Sequence, residues 1–395
     1  RHSVFQRHAH DHLEAIGPMS WAVYPPAGNP VVMRSSGVDV ASLFPAHHLV
    51  WLQSGTAALA WCLCQHRLRH PEVAEPEVLI PAYGCPDLVA AADYAGYTSR
   101  LVDLAEGTSE YDAAALLAAV NENTLAILAV NFLGLAANVS AIRALLPEAS
   151  SIAIIEDNAQ WFPEPDRPVT TEADYLTFSF GRGKAIGLLG GGLVAARAQP
   201  VPMDVLAPVT DKRWPIKARL YNALLHPALY GLVTRLPGLS LGQTRYHALE
   251  RLMAMDPQPK GVLAANVERY QQFDTWRETC FDEAFTAIST VQVPGLTTQG
   301  RHTANRGRLL RYPVLLANRE QRDAALASLT QAGLGATAMY RHALPDIAGL
   351  EGRFDRSRVP NARQFADRLI TLPVHAGINR PVIERIINSL SRALD

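Results

Sequence analysis

The 395-residue sequence is short of charge, of lysine and of cysteine. Charged residues make up 18% of it, against roughly 25% in an average globular protein. Either part of the surface is covered by another subunit or the core is large, and a hydrophobic content of 48% suits both. The 36 Lys and Arg balance 37 Asp and Glu, so the chain has no basic field with which to hold nucleic acid or an anionic membrane. Only four lysines occur (Lys184, Lys212, Lys217 and Lys260), so each is conspicuous. The four cysteines (Cys62, Cys64, Cys85 and Cys280) form no CxxC pair and no disulfide framework, which reads as a reducing, cytoplasmic compartment. Long apolar runs are missing too. The most apolar stretch, Leu224–Leu239, is interrupted by Pro227, Arg235 and Pro237 and is shorter than the about 20 residues a membrane span needs. Residues 1–18 carry four histidines and end in Gly17-Pro18 before Met19, and they read as a leader or a disordered arm. Among these, His8, His10 and His12 could hold a metal only adventitiously.

At about 150 residues per domain the length suggests two or three domains, or one large α/β unit with an appendage. Between residues 45 and 200, short apolar runs alternate with helical stretches. Strands are predicted at Val78–Pro81, Arg100–Asp103, Leu125–Val130, Ile152–Asp157, Tyr175–Phe180 and Gly192–Ala195. Consecutive apolar positions suit strands covered on both faces, hence a mostly parallel α/β sheet flanked by helices. Helices are predicted at Thr56–Arg69, Pro86–Ala95, Asp112–Asn121 and Ser140–Leu145. Residues 201–260 read as irregular with helical pieces, followed by one long amphipathic helix over Val262–Phe285. A small C-terminal α+β domain follows, with strands at Leu309–Leu316 and Gly335–Tyr340 and helices at Glu320–Ala332 and Pro381–Ala393. The predicted organisation is a large domain over 19–260 and a small one over 261–395.

Three segments fall at strand ends, where ligands of such sheets sit. Ser54-Gly55-Thr56 opens a helix, whose free N–H groups and dipole suit a phosphate, although alone it reads as an ordinary cap. Glu156-Asp157 ends an apolar strand, and a buried carboxylate there needs a cationic partner or a capping role. Phe178-Ser179-Phe180-Gly181-Arg182-Gly183-Lys184 is a strand, a glycine-rich loop and one of the rare lysines. A Lys in a tight, partly desolvated loop has a lowered pKa and is nucleophilic. The GxxxxGK[ST] phosphate loop is not present. A phosphate anchor, a carboxylate and an amine are the three parts that pyridoxal phosphate needs.

These segments make the chain similar to the DegT/StrS family of sugar aminotransferases, which are fold-type-I pyridoxal-phosphate enzymes. The matching pieces are Ser54–Leu59, Val78–Tyr83, Glu156-Asp-Asn-Ala-Gln160, Ser179-Phe-x-x-x-Lys184 with its trailing glycines, and Leu372-Pro-Val-His375. The resemblance implies that Lys184 forms the Schiff base with the cofactor and shuttles the proton, and that Asp157 pairs with the pyridine nitrogen. Gln160 would reach the phenolic oxygen. Ser54, Gly55, Thr56 and Ser179 would form the phosphate end, and Ala159 would lie on one face of the ring. It also implies a homodimer with shared sites, an amino-acid donor and a keto acceptor, either a keto sugar nucleotide or a natural-product ketone. Other chemistries of the same cofactor, namely elimination, decarboxylation or carbon–carbon bond formation, stay open, as does a regulatory protein of the same fold.

The chain departs from the family where substrate and partner would be met. Cys85 stands where the family places a ring-stacking aromatic, so either Tyr83 swings in or a smaller group covers that face. Asn131-Phe-Leu-Gly-Leu135 replaces the usual His-Leu-Tyr-Gly-Gln. The segment that reaches the partner's cofactor has no clear copy, and Leu241–Tyr246, with Arg245, lies in about its place. Arg182, Arg245, Tyr340 and Arg341 are candidate substrate contacts, with a surface ion pair as the other reading of Arg341. Lys217–Leu241 reads as dimer packing or as a platform for a lipid- or carrier-linked substrate. His66 and His70 are spaced like metal ligands but read as a solvated helix end, and no metal site is expected.

Overall fold

The computed structural model describes residues 22–394 apart from 149, 165–168, 170–171, 236–243, 289 and 304–305. The arm over 1–18, with its histidines, and the first three residues of Leu241–Tyr246 lie outside the described residues. The elements in order are β1 (His48–Leu52), α1 (Gly55–Arg69), β2 (Glu77–Pro81), α2 (Asp87–Ala95), β3 (Thr98–Val102), α3 (Ala113–Ala119), β4 (Thr124–Val130), α4 (Val139–Ala144), β5 (Ala153–Asp157), β6 (Tyr175–Ser179) and β7 (Gly192–Ala196). Then come α5 (Trp214–Leu224), α6 (Pro227–Val233), α7 (Pro257–Gly261), α8 (Leu263–Gln272), α9 (Trp276–Thr286), β8 (Arg311–Leu315), α10 (Arg319–Gln331), α11 (Pro360–Arg368), β9 (Leu369–Pro373) and α12 (Arg380–Leu394).

Seven strands form one sheet in the order β1-β7-β6-β5-β4-β2-β3. Only β7 runs against its neighbours; every other pair is parallel. The strands are apolar on both faces because helices cover both: α1 and α2 pack with Val78, Ile80 and Leu128 on one side, while Leu79, Ile127 and Ile154 face a second core on the other. Six of these strands were legible in the sequence. The seventh, β1, was missed: it is an edge strand of only five residues.

The predicted helix over Val262–Phe285 is two helices. It breaks at Phe273, whose backbone is extended, and the Arg277 guanidinium sits over the Phe273 and Trp276 rings and donates to the Ile378 carbonyl. The break lets each half serve a different core. Helix α8 buries Leu263 and Val267 against the large sheet, and α9 buries Phe281 and Phe285 with β8, β9, α10 and α12. The predicted strand at Gly335–Tyr340 is a single bridge, Thr337 to Thr371, because Met339 turns the chain with a left-handed φ of 53°. The partner of β8 is instead β9, which pairs with it antiparallel. Among the described residues no helix is long and apolar enough to cross a membrane.

Candidate active site

Strands β4, β5 and β6 end in register, with Val130 beside Asp157 and Asp157 beside Thr177. A small cavity opens there, lined by Cys85, Asn131, Asp157, Ala159, Gln160, Lys184 and Tyr340. The structure thus brings together the amine, the carboxylate and the amide that the sequence singles out. Burial pushes the Asp157 carboxyl up from its ordinary value; the Ala159 N–H, which donates to it at 2.9 Å, and the nearby Lys184 pull it back, and Asp87 adds to the rise. Gln160 is held at both ends of its amide. Its oxygen accepts from Leu133 N at 2.7 Å, and its nitrogen donates to the Tyr340 hydroxyl at 3.0 Å, leaving one N–H for a ligand. Asn131 bonds Glu156 at 2.7 Å and Asn158, so the residue in the altered Asn131–Leu135 segment braces the strand end next to Asp157.

At the other end of the site, Ser54 caps α1 by accepting from Ala57 N at 3.1 Å. Gly55 lies against Ser179 so closely that a Cβ there would stand 2.5 Å from the Ser179 Cβ, and Gly192 lies as closely against the Ser54 carbonyl. The two glycines seat the α1 N-terminus on the ends of β6 and β7. The Thr56 hydroxyl donates at 2.9 Å to Asp87, the first residue of α2. Sequence reading missed Asp87, since an acidic residue after a proline at a helix start looks like routine helix opening.

Tyr83 does not swing in over the site. It is buried among Phe132, Phe365 and Tyr340, at 5.1–5.7 Å between ring centres, and its hydroxyl donates to the Tyr340 carbonyl at 2.9 Å. Cys85 lines the cavity instead. Burial pushes its thiol up to about 12, with Asp87 adding to the rise and Lys184 opposing it, so the group is a neutral thiol in contact with the Tyr340 hydroxyl.

Tyr340 faces the cavity, but Arg341 is exposed and pairs with Asp323 at 3.7 Å. Arg245 is exposed as well and bridges to Ala348 through the backbone; with Arg341 it lines a cleft of about 1060 Å³ beside α10. Within one chain neither arginine reaches the Lys184 cavity. Arg182 is exposed on the far side of the glycine-rich loop, near the buried Arg311, which sequence reading also missed. A charged residue inside the apolar run Leu309–Leu316 was the available signal. His66 is not a solvated helix end. It is buried, its Nε2 donates to the Ser151 carbonyl at 2.7 Å, and burial pushes it down to about 4. No cluster of metal-ligating residues occurs among the described residues.

The residues suit pyridoxal phosphate in the chemistry of their donors: an amine, a carboxylate and an amide N–H around one cavity, and a helix N-terminus whose glycine sits against a serine hydroxyl. The one group that does not suit it is Asp87, an anion beside the anchor.

The model of the DegT/DnrJ/EryC1/StrS aminotransferase family matches residues 38–201 and 261–391. The chain belongs to that family. Solved structures that share its fold include the following three. Spr1654 of Streptococcus pneumoniae, assigned as a sugar aminotransferase, is 22% identical in its pyridoxal-phosphate form, with 91% of this chain and 92% of that one covered and a TM-score of 0.66. 3-Amino-5-hydroxybenzoic acid synthase is 20% identical over 90% and 88%, with a TM-score of 0.65. GDP-4-keto-6-deoxy-D-mannose-3-dehydratase of E. coli is 17% identical over 92% and 100%, with a TM-score of 0.65. No curated protein sequence matches the chain. The fold is that of the fold-type-I pyridoxal-phosphate enzymes, and pyridoxal phosphate is the cofactor. The family holds both aminotransferases and a dehydratase, so membership alone leaves the reaction open.

Proposed function

We propose that the protein is an aminotransferase, moving an amino group from an amino-acid donor to a small keto acceptor. The observation that carries this reading is that Lys184, Asp157 and Gln160 converge on one cavity at the strand ends. When bound, pyridoxal phosphate supplies an electron sink for charge at the substrate carbon. In this reading the Lys184 Nζ would hold the cofactor covalently and, once freed by the substrate amine, would serve as the base at the substrate carbon. Asp157 holds a proton on the ring nitrogen by its charge, and the free N–H of Gln160 steadies the phenolic oxygen. The α1 N-terminus and Ser179 bind the phosphate. Ala159 and Cys85 bound the cavity with small groups.

We further take residues 19–260 as the cofactor-binding unit and 261–395 as the smaller one, with α8 packed on the first. The low charge content and the exposed Ile216, Leu229 and Leu232 of α5 and α6 support a homodimer, with Arg245 reaching the partner's site. The cysteine usage supports a cytoplasmic enzyme.

The test is a single-turnover donor screen on the purified protein. Glutamate or glutamine alone should shift the cofactor's absorbance and release one keto acid per site, and a keto acceptor should reverse the shift. Borohydride should fix the cofactor to a peptide containing Lys184. Carbon dioxide, ammonia or a coupled product in place of the keto acid would turn the assignment to another reaction of the same cofactor.

A further inference from the structure

Helices α5 and α6, which lie in the stretch the family model leaves unmatched, build one wall of a cleft of about 770 Å³ next to the Lys184 loop. The other wall comes from Arg182 and Gly183 of that loop, from Leu310 and Arg311, and from Met339, the neighbour of Tyr340. The Lys184 cavity and this cleft therefore lie on two sides of the same short segments. Its lining has two features. It is apolar, with Leu220 and Leu224 of α5 and Val233 of α6 facing Leu310 and Met339. It also holds three cations, Arg182, Lys217 and Arg311, and, among the described residues, no acidic side chain.

Arg311 is the unusual one. It is 3% exposed, and its guanidinium donates to the Pro26, Gly335 and Thr371 carbonyls and to the Thr371 hydroxyl. All of these partners are neutral, and among the described residues no carboxylate pairs with it. A buried charge without a counter-ion is costly, and an anion in the cleft would offset it. Tyr230 on α6 lies within electrostatic reach of both Arg311 and Arg182, so the three surround one end of the cleft. Lys217, at the rim, is already paired with Asp211 at 2.6 Å.

We propose that this cleft binds an anionic amphiphile, a carboxylate or phosphate carried on an apolar body, with the anion at Arg182 and Arg311 and the body along α5 and α6. The ligand class differs from the polar sugar nucleotide that the family resemblance implies, and one wall of the cleft comes from a segment that the family model does not match. The proposal deepens the amino-transfer reading, on which it rests for the ligand's role as substrate, by naming what kind of ketone or amine the enzyme accepts.

The test uses the holoenzyme and reads binding without turnover. The probe is 8-anilino-1-naphthalenesulfonate, itself an anionic amphiphile, displaced by octanoate, octyl phosphate, octyl glucoside or UDP, each below its micellar concentration. Octanoate or octyl phosphate should displace the probe at a concentration at least about tenfold lower than octyl glucoside or UDP, as a charge-assisted contact implies; which of the two is better identifies the head group. Arg182→Gln and Leu220→Glu, both at exposed positions and checked for an unchanged melting curve, should each weaken that displacement by about tenfold. No probe binding, equal displacement by octyl glucoside or UDP, or an unchanged Arg182→Gln would overturn the proposal. The donor half-reaction is measured separately on the wild-type enzyme. If it fails while displacement stands, amino transfer is wrong and the cleft is right; the reverse result removes the cleft alone.

Discussion

At the ends of β4, β5 and β6, Asn131, Asp157 and Gln160 are hydrogen-bonded to neighbours that are themselves held by the sheet. Along α5 and α6, Leu220 is 58% and Leu232 57% exposed, and Lys217 and Arg182 stand at the edge of a cleft rather than in a core. The first region is pre-organised by backbone it cannot easily leave. The second is a surface waiting for something to cover it, be it substrate or a second subunit. A family keeps the first because the cofactor's chemistry does not change, and can vary the second because substrates do.

The comparison is broken most severely by removing a charge from the first region. If Asp157 has the role proposed above, Asp157→Asn should keep the fold and slow turnover by on the order of 10³-fold, because the ring nitrogen would lose its ionic partner. Steady-state kinetics beside a melting curve checks this, and near-normal turnover would remove Asp157 from the reaction.

A second probe is His375, buried and partnered in the same manner. Its Nδ1 accepts from Gly377 N, so its Nε2 donates to the Pro25 carbonyl, and burial pushes the ring down to about 4. Between the ordinary 6.5 and about 4 the unfolded chain binds the extra proton and the folded one does not, so this group's contribution to stability is lost as pH falls through that window. The full loss is about 3 kcal/mol. For His375→Gln, the wild-type-minus-variant difference in unfolding free energy should shrink from pH 6.5 to 4. A difference that stays flat would mean that another group is responsible.

Asp87 sharpens the contrast from the α2 side of the site, where its carboxylate accepts from Thr56 beside the proposed phosphate anchor. Asp87→Ala frees the Thr56 hydroxyl and removes an anion from the anchor, so apo-protein should bind pyridoxal phosphate about tenfold more tightly in a fluorescence titration. Weaker or equal binding would show that the carboxylate supports the site.

The smallest effect belongs to the second region. Leu232→Ser should change the unfolding free energy of the monomer by less than about 0.5 kcal/mol while weakening self-association in sedimentation. A large loss of monomer stability would place Leu232 in the core after all.

Much of the first region was legible because strands covered on both faces write themselves as apolar runs, and because Asp157, which closes one of those runs, ends its strand in the structure too, while the run expected to close at Phe180 ends one residue earlier, at Ser179. What was not legible depends on contacts distant in sequence. Tyr83 is held by Tyr340, 257 positions away, so no local pattern could show that it stays in the aromatic cluster. The break between α8 and α9 arises from two separate cores competing for one amphipathic pattern. Asp87 looked like any residue opening a helix until Thr56 was found beside it.

Tyr340 is gripped twice, at its carbonyl by Tyr83 and at its hydroxyl by Gln160. One bond comes from just beyond β2 and the other from just beyond β5, so the residue is held both by its backbone and by the hydroxyl at the tip of its side chain. Any swing of the 337–342 segment away from the sheet must break both bonds together, each worth about 1 kcal/mol, besides pulling the ring from its aromatic neighbours. Residues at two different strand ends therefore set where the 337–342 segment sits beside the Lys184 cavity, and loss of either bond alone does not release it.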